Sequence, residues 1–197
     1  MSTRSVSGDR TVTLRAAIQM AARDRGLVAV LAIFIALAFA WNLATPIFEA
    51  PDEPEHLQYV LFVADKGRLP DLWTEVAEAG TESPQPPLYY FVSGLILRVS
   101  GVNCSFVQPM RNPDFSFEWT NTTFNYFVPS TNSSECVRLL RGFSVIPGMI
   151  ALVCIYLAAT LIGADRNQRL AATAVAAFLP QFTFVSGAVN NDMLASA

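Results

Sequence analysis

The chain has 197 residues, of which 52% are hydrophobic and only 15% charged, with a formal net charge of −3. A soluble domain carries about a quarter charged residues, so this composition, with mean hydropathy +0.37 and apolar residues clustered in runs, points to a membrane protein. The acidic balance, and the lack of a basic stretch with interleaved aromatics, argue against nucleic acid as a partner.

In chain order, residues 1–25 form a basic arm with Arg4, Arg10, Arg15, Arg23 and Arg25 against Asp9 and Asp24. Gly26 to Phe48 is an uncharged run longer than the roughly 20 residues a membrane helix needs, with Trp41 placed as an interface anchor. Its "AFA" at 38–40 also resembles a signal-peptide cleavage site. The length of the run, and Trp41 and Asn42 just after the would-be cut, favour an uncleaved anchor.

Residues 49–137 are predicted as a large outer loop. "PDEPEH" opens it, and 53–66 has helical periodicity in Leu57, Val60, Leu61 and Ala64, with Gly67 as a stop. Asp52 and Glu55 have capping-box spacing, with Pro54 in the first turn. That accounts for two acids but not for Glu53 or His56, and Asp52 and His56 fall on one helical face. After "ESPQPP", the apolar stretch Pro87 to Val99 is too short to span and reads as a juxtamembrane helix, with Tyr89 and Tyr90 suited to an interface. Residues 103–136 are polar and aromatic, a predicted outer cap; "NCS", "NTT" and "NSS" match the glycosylation pattern. Cys104 and Cys136 lie in this loop as candidates for a disulfide on an oxidising face, leaving Cys154 as a free thiol.

A second span is predicted from Arg138 to Gly163, a short turn over 164–169, and a third span from Leu170 to Val189. Pro180 should kink the third, with Gln181 as an intramembrane polar contact. Residues 190–197 read as the start of a second outer loop, after which further spans are expected. Between Glu49 and Val137 lie twelve Asp/Glu and four Lys/Arg. The positive-inside rule therefore places the N-terminal arm and the 164–169 turn in the cytoplasm; Arg138 and Arg141 run against it. The predicted fold class is all-α, a polytopic helical membrane protein.

"APDEPEH" after the first span, "QPPLYY" before a short apolar helix and "NND" after the third span, in that order, resemble the GT-C superfamily of membrane glycosyltransferases. The likeness is strongest to a bacterial family of uncharacterised membrane proteins whose first outer loop opens with P-D-E-x-x-H; protein O-mannosyltransferases and lipid A aminoarabinose transferases are relatives. It covers residues 27–197, the N-terminal part of such an enzyme. The resemblance implies transfer of a sugar from a polyprenyl-phosphate donor to a glycan, lipid or protein acceptor at the cell envelope. It places Asp52, Glu53 and Asp192 as catalytic acids, acting as general base or as ligands of a divalent metal ion. His56, Gln85, Tyr89 and Asn191 become the expected substrate contacts, with Gln85 standing where many relatives carry His. A non-catalytic envelope-assembly subunit or flippase partner sharing the fold is the alternative.

Overall fold

The computed structural model describes residues 13–102, 104, 110–115, 124, 126–127 and 133–196. Most of the predicted cap, the asparagines of its three glycosylation motifs and the first twelve residues of the arm lie outside the described residues. The chain is mostly helical: α1 (Leu14–Arg23), α2 (Arg25–Ala44), α3 (Glu53–Lys66), α4 (Val76–Ala79), α5 (Leu88–Ser100), α6 (Ser133–Leu161), α7 (Arg166–Ala177), α8 (Pro180–Ser186) and α9 (Asp192–Ser196). The all-α expectation needs one amendment, a two-residue antiparallel ribbon pairing Met110 with Phe127 and Arg111 with Tyr126.

Two helices, α2 and α6, are long and apolar enough to cross a membrane, and a third candidate exists if α7 and α8 are taken as one broken span. The 20 residues of α2 extend about 30 Å, close to the thickness of a hydrocarbon core. The helix ends at Ala44 rather than continuing to Phe48, and residues 45–52 turn the chain back over its end. The 29-residue α6 starts at Ser133, ahead of the predicted span, and carries Pro147 in its interior.

The predicted third span is two helices. It begins at Arg166 behind a full capping box in which Asp165 accepts from the Gln168 backbone N–H and the Gln168 side chain accepts in return. It then breaks before Pro180, with a 65° bend between α7 and α8. The break follows from proline chemistry: Pro180 has no N–H to continue the ladder, and Leu179 before it is extended, at φ −64° and ψ 120°.

Around α2, α6, α7 and α8 a core forms on Phe34, Ala38, Val145, Leu152 and Ala177. The end of α8 approaches α2 so closely that a Cβ on Gly187 would lie 2.6 Å from the Ala38 carbonyl oxygen, so only glycine allows that seat. A second core sits beyond the end of α2, where α3 packs on α5 and both rest on the start of α6. Tyr59 and Tyr90 stack there at 3.9 Å between centroids. The interface role expected of Tyr89 and Tyr90 is not what the fold uses: both rings are buried, because each hydroxyl has an internal partner. Ser144 gives its single proton to the Leu140 carbonyl, so the Tyr89 hydroxyl donates to Ser144 at 2.9 Å; the Tyr90 hydroxyl meets His56. A Cys104–Cys136 disulfide, with Cα atoms 5.7 Å apart, ties the segment after α5 to the first turns of α6. Cys154 is a free, exposed thiol.

Candidate functional site

The site is assembled where three segments meet beyond the C-terminal end of α2, and its foundation is a buried ion pair. Glu53, in the first turn of α3, and Arg141, in α6, are both fully buried. The Arg141 Nε donates to Glu53 Oε1 at 2.7 Å and Nη2 donates to Oε2 at 2.6 Å. The remaining guanidinium hydrogens go to the carbonyls of Asn42, Thr45 and Pro46 at 2.7–3.0 Å. Those carbonyls belong to the end of α2 and the turn after it; Asn42 also accepts from the Arg138 guanidinium at 2.8 Å and Pro46 from the Glu49 backbone at 3.3 Å. Glu53 also accepts from the backbone N–H of Phe48 at 2.9 Å and of Val189 at 3.2 Å. One carboxylate therefore gathers α3, α6, the 45–52 turn and the α8–α9 link.

This corrects the catalytic assignment of Glu53. Both of its oxygens are engaged and it does not line the adjacent cavity, so it positions the site rather than acting in it. The correction also explains Arg141, which looked out of place as an outer-side cation. Its role in tying down carbonyls needs partners that only the fold supplies.

The turn held by Glu53 is strained. Phe48 and Asp52 are both left-handed, at φ 68° and 53°, a conformation that costs a non-glycine residue about 1–3 kcal/mol. At Asp52 the strain has a consequence for chemistry. An N-capping side chain reaches over its helix from an extended backbone, and from the left-handed region Asp52 makes no side-chain cap bond. The predicted Asp52–Glu55 capping box does not form. Asp52 instead lines a cavity of about 210 Å³.

From the α3 side, Asp52 and His56 line this cavity; from the link before α5 come Glu82 and Gln85; from α8, the link after it and the first residue of α9 come Gln181, Asn190, Asn191 and Asp192. Asp52 and Asp192, 140 positions apart in sequence, thus face one space. Asn190 shapes the last segment: its amide donates to the Val185 carbonyl at 2.7 Å and its oxygen accepts from the Asp192 backbone at 3.0 Å. Asn191 reaches Gln85 at 3.4 Å. Tyr89, expected as a substrate contact, lines a separate cavity of about 140 Å³ that shares Asn191. Gln181, expected as an intramembrane polar contact, lines the Asp52 cavity from α8.

His56 is buried, and its Nδ1 lies 2.8 Å from the Tyr90 hydroxyl. Burial holds its pKa below the usual histidine value, against the opposing pull of Glu82, Asp192, Asp52 and Glu55. Burial also pushes the Tyr90 phenol up. A neutral ring beside an un-ionised phenol lets the Tyr90 hydroxyl donate to Nδ1, which leaves the ring proton on Nε2. Two residues were not expected at the site: Glu82, which lines the cavity, and Tyr90, which the sequence suggested only as an interface aromatic and which meets His56. Among the described residues no three His, Cys, Asp or Glu side chains converge to hold a metal ion.

The cavity is rich in carboxylates and amides, and one imidazole is held neutral. It suits binding of hydroxyl groups and acceptance of a proton from one of them. Compared with known protein families, with characterised proteins and with solved structures, the chain matches none.

Proposed function

We propose that this chain forms the membrane-embedded N-terminal part of a glycosyltransferase that moves a sugar from a polyprenyl-phosphate carrier to an envelope acceptor. The observation that carries the reading is the meeting of Asp52 and Asp192 in one cavity, just past the end of a helix able to cross a membrane. A lipid-linked sugar keeps its tail among acyl chains and its head at the boundary. A cavity at that level receives the head without moving the tail.

In this reading an acceptor hydroxyl attacks the anomeric carbon. The new carbon–oxygen bond forms as the bond from that carbon to the phosphate oxygen breaks, and polyprenyl phosphate leaves with the electron pair. The hydroxyl proton passes to the Asp52 carboxylate, which is free of a capping duty. Asp192 and the amides of Gln85, Gln181 and Asn191 hold sugar hydroxyls, and His56 offers Nε2–H as a further donor.

The test is transfer of a labelled sugar from a polyprenyl-phosphate donor by the full-length protein in membranes. Asp52→Asn should lower turnover by on the order of 100-fold or more, with unchanged expression. Unchanged transfer by both Asp52→Asn and Asp192→Asn would overturn the reading and favour a non-catalytic assembly subunit.

A further inference from the structure

At the other end of α2, about 30 Å away by helix rise, four arginines surround one aspartate. Asp24 precedes α2, and Arg166 at the start of α7 clamps it with Nε at 3.1 Å and Nη2 at 2.7 Å. Asp24 also accepts from the Tyr156 hydroxyl at 2.7 Å and from the Gly26 backbone at 2.8 Å. The hydrogen bonds from Arg166 do most to hold its carboxyl down to about 2. A Cβ on Gly26 would lie 2.9 Å from the Arg166 guanidinium, so glycine leaves room for the clamp.

That single carboxylate is fully committed, yet three more guanidinium groups line the same open cavity of about 480 Å³: those of Arg23, Arg25 and Arg169. Arg169 is fixed, its guanidinium 5.6 Å over the Tyr156 ring and bonded to Thr160. Arg23 and Arg25 are exposed and have no side-chain partner among the described residues. The pocket thus carries an excess of positive charge, presented as planar forks that match phosphate oxygens.

Its surroundings are apolar. α1 is amphipathic, with Leu14, Ala17, Ile18 and Ala21 on one side and Arg15, Gln19 and Arg23 on the other. Leu14, Ile18 and Met20 are about half exposed, as is Val28 on the first turn of α2, and Met20 lines the pocket itself. A cationic pocket bordered by bare apolar side chains, at the end of a membrane-length helix, suits a ligand with a phosphate head and acyl tails.

We infer that this arginine pocket binds the phosphate of an anionic phospholipid headgroup. The lipid seats α1 against the surface while its chains lie along Leu14, Ile18 and Val28. Such binding requires that α2 crosses a bilayer; it does not require sugar transfer.

The experiment uses the full-length protein and dioleoylphosphatidylglycerol, with dioleoylphosphatidylcholine as the neutral comparison, read as lipid retained by native mass spectrometry. Wild type should retain the anionic lipid preferentially. Replacing both Arg23 and Arg25 by Gln should weaken that preference about 10- to 30-fold, and Lys at both positions should restore most of it. Arg15→Gln, on the same helix but outside the pocket, should leave it within about twofold. An absent preference, or equal losses in R15Q and R23Q/R25Q, would overturn the pocket in favour of diffuse surface charge. Inorganic phosphate displacing the lipid at equal concentration would overturn the lipid as occupant. Flotation with vesicles of the neutral lipid alone separates loss of this site from failure of the chain to enter a bilayer.

Discussion

Glu53 and Arg141, 88 positions apart, are joined by two hydrogen bonds in a fully buried pair that also closes the end of α2. Each partner would be costly alone, because an uncompensated charge in that place has no water to solvate it.

Arg141→Met and Glu53→Gln should therefore each destabilise the protein by about 3–5 kcal/mol, read as a lowered unfolding midpoint in detergent. Arg141→Lys should recover little, since an ammonium cannot reach two carboxylate oxygens and three carbonyls together. A double-mutant cycle should give a coupling well above that of a surface pair; additive effects would show that the two residues act independently.

The left-handed Asp52 gives a sharper separation of stability from activity. Asp52→Gly should leave the unfolding midpoint unchanged or raise it, because glycine adopts a φ of 53° without strain. Asp52→Val should lower stability by about 1–2 kcal/mol through the added cost of a branched Cβ in that conformation. Both should lose sugar transfer, since neither supplies a carboxylate.

Acid should act in two stages. The folded-state pKa of His56 lies below its ordinary value of 6.5, so the unfolded chain takes up this proton first. Its contribution to stability is complete above 6.5 and is lost as pH falls through the lower folded value. Asp24 follows the same sign lower down, its contribution present above 3.8 and lost as pH falls through about 2. His56→Gln should remove the first stage of an acid titration and leave the second.

Reducing the Cys104–Cys136 bridge should destabilise the protein by about 3–4 kcal/mol, the chain-entropy value for a loop of this length. Modification of Cys154, which is exposed, should leave the midpoint unaltered. A midpoint insensitive to reductant would show that the bridge does not constrain the unfolded chain.

Local patterns made much of the helical framework legible in the sequence. An uncharged run of membrane length at 26–48, the periodicity of 53–66 closed by Gly67, and the short apolar stretch ahead of Val99 each depend on neighbours along the chain. Hydropathy and backbone preference alone carry such signals. Pro180 likewise announced a disruption, though not its size: a 65° break depends on what α8 packs against, and the close seat of Gly187 on α2 decides that.

The different surroundings of the acids appear only in the tertiary structure. Asp52, Glu53 and Glu55 are neighbouring acids with the same chemistry; spacing paired Asp52 with Glu55 in a capping box, and the resemblance made both Asp52 and Glu53 catalytic acids. The fold separates them because Arg141 arrives from a helix 88 residues away and claims Glu53. The turn this pair holds twists Asp52 into a conformation from which it cannot cap. Asp192 was placed beside Asp52 by resemblance, and neither Glu82 nor Tyr90 was expected at the site. A residue's burial and partners are set by contacts across the whole chain, and no local pattern in the sequence encodes them.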